Sequence, residues 1–395
     1  MANKPNYLPS VPAFRWLRSG EEALDAMRSA IAQARRSVRL ETYTFDGTAV
    51  GQSFRNALAA AAARGVRVQV LIDAVGSFSL ADTFWEPLRA TGGEVRWFNP
   101  LTLERISYRD HRKILVVDEG PAFVGGCNIA AEYAGDGVTH GWRDLGLSVT
   151  GALAIELAAS FDAMFERADF RHKLLQRLCR SRAESKTGES HWLLLLSDPG
   201  RGHRVLKRAL ARDLAQARSI RIISGYFLPT WRIRRELRRV AHRGGRVQLI
   251  LSGKSDVVLA QLASRHLYRG LLRAGVEIYE YQPQVLHSKL VIADHVVYAG
   301  SANLDTRSLS INYELLVRVT DTRLAGEARD LFTDHLQHAR RIDPAAWPRS
   351  RNFVRKLLEY LACAFLSRLD PSFARWQWRG FRLKQAVAYG AKRTR

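Results

Sequence analysis

The sequence has few cysteines, few acidic residues and no long apolar segment, and each shortage narrows the class of protein. Three cysteines, Cys127, Cys179 and Cys363, are spread over 395 residues. Their odd number and wide separation indicate neither a disulfide framework nor a cysteine metal site, which suits a reducing cytoplasm. No stretch of 18 uncharged apolar residues occurs, so we expect no membrane-spanning helix. Residues 1–20 contain three prolines but no apolar run, so we expect no signal peptide.

The shortage of acidic residues leaves a strong positive charge. Asp and Glu number 38 against 61 Lys and Arg, giving a formal net charge of +23 and a pI near 10.6. Such an excess attracts polyanions, either nucleic acid or the headgroups of an acidic bilayer, and charge alone does not choose between them. The length indicates two domains that can each bury a core.

The second half of the chain repeats the first. An alternating apolar and polar segment that begins at Ser37 recurs from Ser219, and each is followed by a helical stretch, 51–63 or 231–242. A glycine-terminated helix that leads into a buried strand comes next in both halves. The offset between corresponding residues stays between 176 and 183. This register predicts two α/β halves, each a mostly parallel sheet flanked by helices.

We expect the first half to span 1–180, the second 191–345, and a basic aromatic extension 346–395. The polar run 181–190 is typical of a linker. Before it, the periodicity of 151–170 predicts a helix with one core-facing side. The residues on that side are Leu153, Leu157, Phe161 and Phe165.

Each half ends in the same polar cluster. It consists of a histidine, a lysine two residues later and an aspartate after four more: His111, Lys113 and Asp118, then His287, Lys289 and Asp294. The apolar run between lysine and aspartate predicts a buried strand. Residues two apart on a strand face the same side, so each His and Lys project together. The aspartates have the opposite parity, which favours a structural role for them.

A glycine-rich segment follows each cluster, with Gly125, Gly126 and Asn128 in the first half and Gly300, Ser301 and Asn303 in the second. The glycines allow the backbone and the asparagine side chain to come close to a bound anion.

The two copies resemble the signature of the phospholipase D superfamily, His-x-Lys-x4-Asp followed by Gly-Gly/Ser-x-Asn. The run Asn303-Leu-Asp-Thr-Arg-Ser308, with Glu314 after it and Trp142-Arg-Asp144 in the first half, resembles the cardiolipin synthase branch. The resemblance is to bacterial forms without membrane-spanning segments and covers roughly 15–340. The first half departs from it, with Gly126 where the second has serine, so the half-sites need not share duties equally.

The resemblance implies a catalytic set of His111, Lys113 and Asp118 with His287, Lys289 and Asp294. One histidine attacks phosphorus to form a phosphohistidine, and the other protonates the departing alcohol. We assign His111 as the nucleophile and His287 as the general acid and base, and the reversed assignment stays open.

The remaining site residues are expected to bind phosphate or to orient the histidines. The lysines with Asn128 and Asn303 supply donors to the phosphoryl oxygens, and Ser301 is either a further donor or a turn residue. Glu314 is expected to orient His287 and Asp144 to orient His111, with surface carboxylates as the alternative. No metal or other cofactor is expected.

The C-terminal extension combines basic, aliphatic and aromatic residues. An apolar helical face is predicted from Leu357, Leu358, Leu361, Phe365 and Leu366, and an arginine-interleaved aromatic group from Phe373, Trp376, Trp378 and Phe381. This composition favours binding at a bilayer interface. The alternative is a helix docked on the body with a disordered basic end.

The function implied by the resemblance is phosphatidyl transfer at a membrane surface, with cardiolipin made from phosphatidylglycerol and a donor phospholipid. The expected partner is an anionic phospholipid membrane that contains phosphatidylglycerol, with phosphatidylethanolamine as a second lipid. Nucleic acid is less favoured, and no obligate protein partner is indicated. We expect peripheral binding at the cytoplasmic face of the cell membrane. The alternatives are a phospholipase D hydrolase, a nuclease, and a binding protein without activity.

Overall fold

The computed structural model describes residues 12–100, 107–168, 191–198 and 202–372, with Ala374 and Gln377. Within these residues, fifteen strands form two sheets. The strands of the first sheet are β1 (Phe14–Leu17), β2 (Ser37–Thr42), β3 (Arg67–Asp73), β4 (Glu94–Phe98), β5 (Ile114–Val117), β6 (Ala122–Gly125) and β7 (Gly146–Val149). Those of the second are β8 (Trp192–Ser197), β9 (Ser219–Ser224), β10 (Arg246–Ser252), β11 (Glu277–Tyr281), β12 (Lys289–Ala293), β13 (Val296–Gly300), β14 (Glu314–Thr320) and β15 (Ala339–Arg341).

The second sheet repeats the first strand for strand. The first has the order β1-β7-β6-β5-β2-β3-β4, and the second has β8-β14-β13-β12-β9-β10-β11 with β15 added at the edge. The two α/β halves predicted from the repeat are therefore confirmed. The expectation of mostly parallel sheets is wrong, because β2, β3 and β4 are parallel whereas β5, β6 and β7 run antiparallel. Both sheets are mixed.

Helices cover the sheets and close the C-terminal end. They are α1 (Gly20–Gln33), α2 (Ala49–Ala63), α3 (Glu86–Ala90), α4 (Ala152–Phe165), α5 (Gly202–Gln216), α6 (Trp231–His242), α7 (Val258–Leu272), α8 (Thr306–Ser310), α9 (Thr322–Gln337) and α10 (Phe353–Ala364). The helix predicted at 151–170 is α4, and the four side chains assigned to its core face are buried. Within the described residues, no helix is long and apolar enough to cross a membrane.

The two halves share a core because β5 and β12 are buried on both faces. Ile114 and Val116 point into a cluster that also contains Leu290 and Ile292 of the other half. The intervening Leu115 packs into the outer core of its own half. This alternation accounts for the continuous apolar run after each lysine. Packing the two strands against one shared core brings the residues in front of them, the two histidines, toward the junction of the halves.

The C-terminal helix α10 packs against α7, with Ala362 in the core cluster of the second half and Leu366 partly buried against it. A π-helical turn, Phe365–Leu369, follows α10. The predicted linker 181–190, Cys179 and the aromatic group from Phe373 to Phe381 lie outside the described residues. The division at 1–180, 191–345 and 346–395 therefore stays a prediction.

Candidate active site

One cavity of about 430 Å³ lies at the junction of the halves and is lined by His111 and His287. His111 lies three residues before the start of β5, and His287 lies two residues before the start of β12. Because the same strand of each half carries the pair, the pseudo-symmetry of the fold turns both histidines toward one space. The cavity lies in the size range of ligand-binding sites.

Each histidine lies against a buried carboxylate from the opposite half. Nδ1 of His111 is 3.0 Å from Oε1 of Glu314, and Nδ1 of His287 is 2.6 Å from Oδ2 of Asp144. Both carboxylates are fully buried. The expected pairing, Glu314 with His287 and Asp144 with His111, is therefore wrong. With Nδ1 turned to a carboxylate, Nε2 is the ring nitrogen left for a substrate.

The exchange of carboxylates follows from two backbone bridges between the halves. The amide of His111 donates to the carbonyl of Tyr313 over 3.0 Å, and that of His287 donates to the carbonyl of Arg143 over 2.8 Å. Glu314 and Asp144 each follow the accepting residue directly, so each carboxylate is delivered to the histidine of the other half. Spacing along one half cannot reveal this, because the bridges form only when the halves dock.

The glycine in the first half and the serine in the second fit carboxylates of different length. A Cβ at Gly126 would lie 2.3 Å from Oδ1 of Asp144, so the side chain of Asp144 needs a glycine there. At the matching position, Ser301 Oγ donates to Glu314 Oε2 over 2.5 Å and accepts from the amide of Leu315 over 3.0 Å. The serine therefore positions Glu314. The expectation that Ser301 donates to the phosphate is therefore corrected, because its hydroxyl proton is already donated to Glu314.

The two lysines are buried beside the histidines. Nζ of Lys289 lies 3.2 Å from Nε2 of His287, and Nζ of Lys113 donates to the carbonyl of His111 over 2.8 Å. Burial lowers the pKa of Lys113 to about 7, against the opposing effect of Glu314. Burial also lowers the pKa of Lys289. An anion bound beside the two lysines would favour their charged forms and offset the cost of their burial.

The pKa values of both histidines are lowered, which favours neutral imidazoles. Burial and the charge of Lys289 lower the pKa of His287 to about 4, and burial lowers the pKa of His111. Burial alone would raise the pKa of Asp144, but the charges of Lys289 and His287 bring it below its ordinary value. Burial would likewise raise the pKa of Glu314, but the charge of His111 brings it below its ordinary value. These shifts favour ionised carboxylates beside neutral imidazoles, the state in which an imidazole is a nucleophile.

The two asparagines line the same cavity. Asn128 is held by its neighbours, since its Oδ1 accepts from the amide of Thr44 over 3.1 Å and its Nδ2 donates to Tyr133 Oη over 2.7 Å. Oδ1 of Asn303 is buried and has no hydrogen-bond partner among the described residues. Because Oδ1 is an acceptor, it cannot pair with a phosphoryl oxygen, so Nδ2 is the atom of each asparagine that would donate to phosphate. We retain both asparagines as proposed phosphate-binding residues.

Asp118 and Asp294 do not line the cavity. Asp118 accepts from the amides of Arg35, Arg36 and Ser37, and Asp294 accepts from the matching amides of the second half. Both have positive φ, 54° and 52°, as turn aspartates tolerate. Their side chains tie the end of the strand to its neighbour. This geometry favours the structural role that their parity predicted over membership of the catalytic set.

Aromatic side chains surround the histidines, and sequence reasoning missed them. The ring centroid of Tyr43 lies 5.1 Å from that of His111. Those of Tyr133 and Trp142 lie 5.3 and 5.6 Å from that of His287. Tyr226 also lines the cavity. Tyr43 and Tyr226 follow the equivalent strands β2 and β9, so the repeat itself could have singled them out. Arg109 and Arg307 add two guanidinium groups to the lining.

Comparisons with known proteins identify relatives over most of the chain. A family profile described as cardiolipin synthase, PLD-like domain, matches residues 27–167 and 210–336. Cardiolipin synthase B of Escherichia coli (strain K12) is 32% identical over 321 residues, which cover 80% of this chain and 78% of that protein. A cardiolipin synthase of Geobacillus kaustophilus is 34% identical over 341 residues, covering 83% and 66% respectively.

The fold has a counterpart among solved structures. The chain superposes on the phosphatidylserine synthase of Haemophilus influenzae Rd KW20 with a TM-score of 0.67 and 14% identity, covering 91% of this chain and 95% of that one. At this identity the likeness concerns the fold.

Proposed function

The chain belongs to the cardiolipin synthase family of phospholipase D-like proteins, and we propose that it is a phosphatidyltransferase that forms cardiolipin. In the proposed reaction, the phosphatidyl group of a donor phospholipid passes to a hydroxyl of phosphatidylglycerol through a phosphohistidine. The observation that supports this most is the shared cavity, to whose lining each half supplies one histidine, with one lysine buried beside each histidine.

In the proposed first step, Nε2 of His111 attacks phosphorus while His287 protonates the oxygen of the leaving alcohol. The P–N bond forms as the P–O bond breaks. Entry of the anionic phosphodiester raises the pKa of both imidazoles and both ammonium groups, which supplies the proton that His287 needs. In the second step, His287 takes the proton of the incoming alcohol, whose oxygen attacks phosphorus and releases His111. The exchanged roles remain the alternative.

The carboxylates and lysines stabilise the charges that develop on the imidazoles and on the phosphoryl oxygens. Asp144 holds the His287 ring and stabilises its protonated form, as Glu314 does for His111. Lys113 and Lys289, with Asn128 and Asn303, offset the charge on the phosphoryl oxygens. Water competes with the acceptor alcohol, so transfer requires that the lipid fills the cavity.

We propose that the protein acts at the cytoplasmic face of the cell membrane, bound peripherally to anionic phospholipid. The chain has 61 basic and 38 acidic residues, and this excess of positive charge supports attraction to phosphatidylglycerol headgroups. Phosphatidylethanolamine is the second donor to test.

The test is to incubate the purified protein with phosphatidylglycerol vesicles, with and without phosphatidylethanolamine, and to separate the lipids by chromatography. Cardiolipin is expected, and His111→Ala and His287→Ala should each lower its formation by about 10⁴-fold or more. The matched control is His295→Ala, which changes an exposed histidine at the far end of β12. Phosphatidic acid as the sole product would assign a hydrolase, and cleavage of DNA without any lipid product would assign a nuclease. Full activity of His111→Ala would refute the chemistry.

A further inference from the structure

Helix α10 turns its apolar side away from the protein. It packs on the body through Ala362 and the partly buried Cys363, and a surface helix ordinarily turns its polar face outward. Here the opposite face is exposed and aliphatic. In α10 the exposed fractions are 61% for Val354, 44% for Leu357, 49% for Leu358 and 52% for Leu361, and Phe365, the first residue of the π-helical turn, is 47% exposed on the same side. A contiguous apolar face of this kind marks a contact surface.

This face continues to the entrance of the catalytic cavity. At the start of α7, on which α10 packs, Val257, Val258 and Leu259 are exposed as well. Val257 and Leu366 also line the cavity that contains the two histidines. The exposed aliphatic side chains of α10, its π-helical turn and the first turn of α7, here called the α10–α7 surface, therefore adjoin the place where a phosphodiester would react.

The exposed charges along α10 and its π-helical turn are positive. Between residues 353 and 369 the basic residues are Arg355, Lys356 and Arg368, all exposed. The one acidic residue of this stretch, Glu359, is buried and lies 2.8 Å from the Arg351 guanidinium. Aliphatic side chains flanked by cations match the boundary of an anionic bilayer, where acyl chains meet phosphate headgroups. Nucleic acid would use the cations but leave the aliphatic side chains in water.

We propose that the α10–α7 surface lies in the interface of an anionic phospholipid bilayer and lets a lipid pass directly from the bilayer into the catalytic cavity. The proposal that this surface binds the bilayer depends only on the exposed side chains described above. The proposal that substrate enters along it rests on the proposed function. A lipid that enters along Val257 and Leu366 keeps its acyl chains among apolar groups while its phosphate reaches the histidines. The family profile matches no residue beyond 336, so α10 lies outside the matched region.

The test uses the full chain carrying Leu357→Ser and Leu361→Ser, two exposed side chains that do not line the cavity. Binding is measured by flotation with vesicles of phosphatidylcholine alone and of phosphatidylcholine with phosphatidylglycerol. Loss of two interfacial leucines should weaken binding to the anionic vesicles by about 100-fold or more. Added salt should weaken the binding of the unaltered protein, since the cations contribute. The matched control is Ile155→Ser with Val205→Ser, which removes two aliphatic side chains of similar exposure, 49% and 44%, from α4 and α5.

Turnover of a short-chain phosphatidylglycerol that is monomeric in solution separates docking from chemistry. The leucine variant should retain this activity while losing activity on vesicles. Flotation equal to that of the unaltered protein would overturn the proposal. So would a dimer of the unaltered protein that becomes monomeric in the variant, because a second copy would then cover the surface. If no phospholipid is turned over but flotation is still lost, docking stands and the proposed function fails.

Discussion

Replacing Gly126 by alanine should uncouple Asp144 from His287. The new Cβ would lie 2.3 Å from Oδ1 and 2.5 Å from Oδ2 of Asp144. Non-bonded carbon and oxygen atoms rarely come within ~3.3 Å, so the carboxylate must move by about 1 Å. Asp144 is fully buried and its Oδ1 accepts from the amide of Leu145 over 2.7 Å, so it cannot swing into solvent. The 2.6 Å hydrogen bond to His287 is then lost.

A displacement of this size at a catalytic group lowers kcat by about 100-fold, and the overpacking lowers the free energy of unfolding by about 1–3 kcal/mol. The assay is steady-state phosphatidyl transfer, with thermal unfolding measured in parallel so that loss of folded protein is not mistaken for loss of kcat. Gly270→Ala is the control, because a Cβ there meets nothing within 4 Å. A Gly126→Ala protein with kcat near that of the unaltered enzyme would refute the reasoning.

The second half suggests a rescue. There a serine stands at the matching position and the carboxylate is a glutamate, whose extra methylene reaches past the serine side chain. Gly126→Ser should therefore be impaired like Gly126→Ala, and adding Asp144→Glu should recover activity. If the double variant were no more active than Gly126→Ser alone, the steric account of the glycine would be wrong.

The remaining predictions concern stability. Asp118→Ala removes the acceptor of three backbone amides and should lower the free energy of unfolding by about 1–3 kcal/mol. The kcat per folded molecule should be retained. Loss of kcat at full stability would restore Asp118 to the catalytic set. Lys113→Met should abolish transfer yet raise the unfolding temperature. Because the folded pKa of Lys113, about 7, lies below its unfolded value, the buried charge destabilises the protein fully below pH 7 and progressively less as pH rises toward the unfolded pKa. The gain in unfolding temperature should thus be larger at pH 6 than at pH 9, and a gain that grows with pH would contradict the assignment.

The two halves and the repeated histidine–lysine pairs could be predicted from the sequence because both depend on local patterns. The repeat fixes the architecture, and the two-residue spacing of His111 and Lys113 places both side chains on one side of a strand. Strand direction was mispredicted, since a strand buried on both faces has the same apolar run whether it is parallel or antiparallel. The connection from β5 to β6 carried the missing signal. It spans only residues 118–121, which is too short for a parallel crossover and requires a hairpin.

The carboxylate pairing could not be predicted because it belongs to the interface between the halves. Glu314 lies 27 residues beyond His287 in sequence, yet the bridge between Asp110 and Tyr313 carries it to the other histidine. Periodicity describes which face of a strand is buried, but it carries no information about which half that face meets.

Because each histidine pairs with a carboxylate of the opposite half, neither half holds a complete site. The Nδ1 proton of each histidine provides a test of this pairing. In a hydrogen bond to a buried carboxylate, the Nδ1 proton of an imidazole is shielded from exchange and gives a separate downfield proton resonance. Asp144→Asn should remove the resonance that His287→Ala removes, because Asp144 contacts His287. Glu314→Gln should affect the resonance that His111→Ala removes. If Asp144→Asn instead removed the His111 resonance, each half would orient its own histidine, and the crossed arrangement of the site would be wrong.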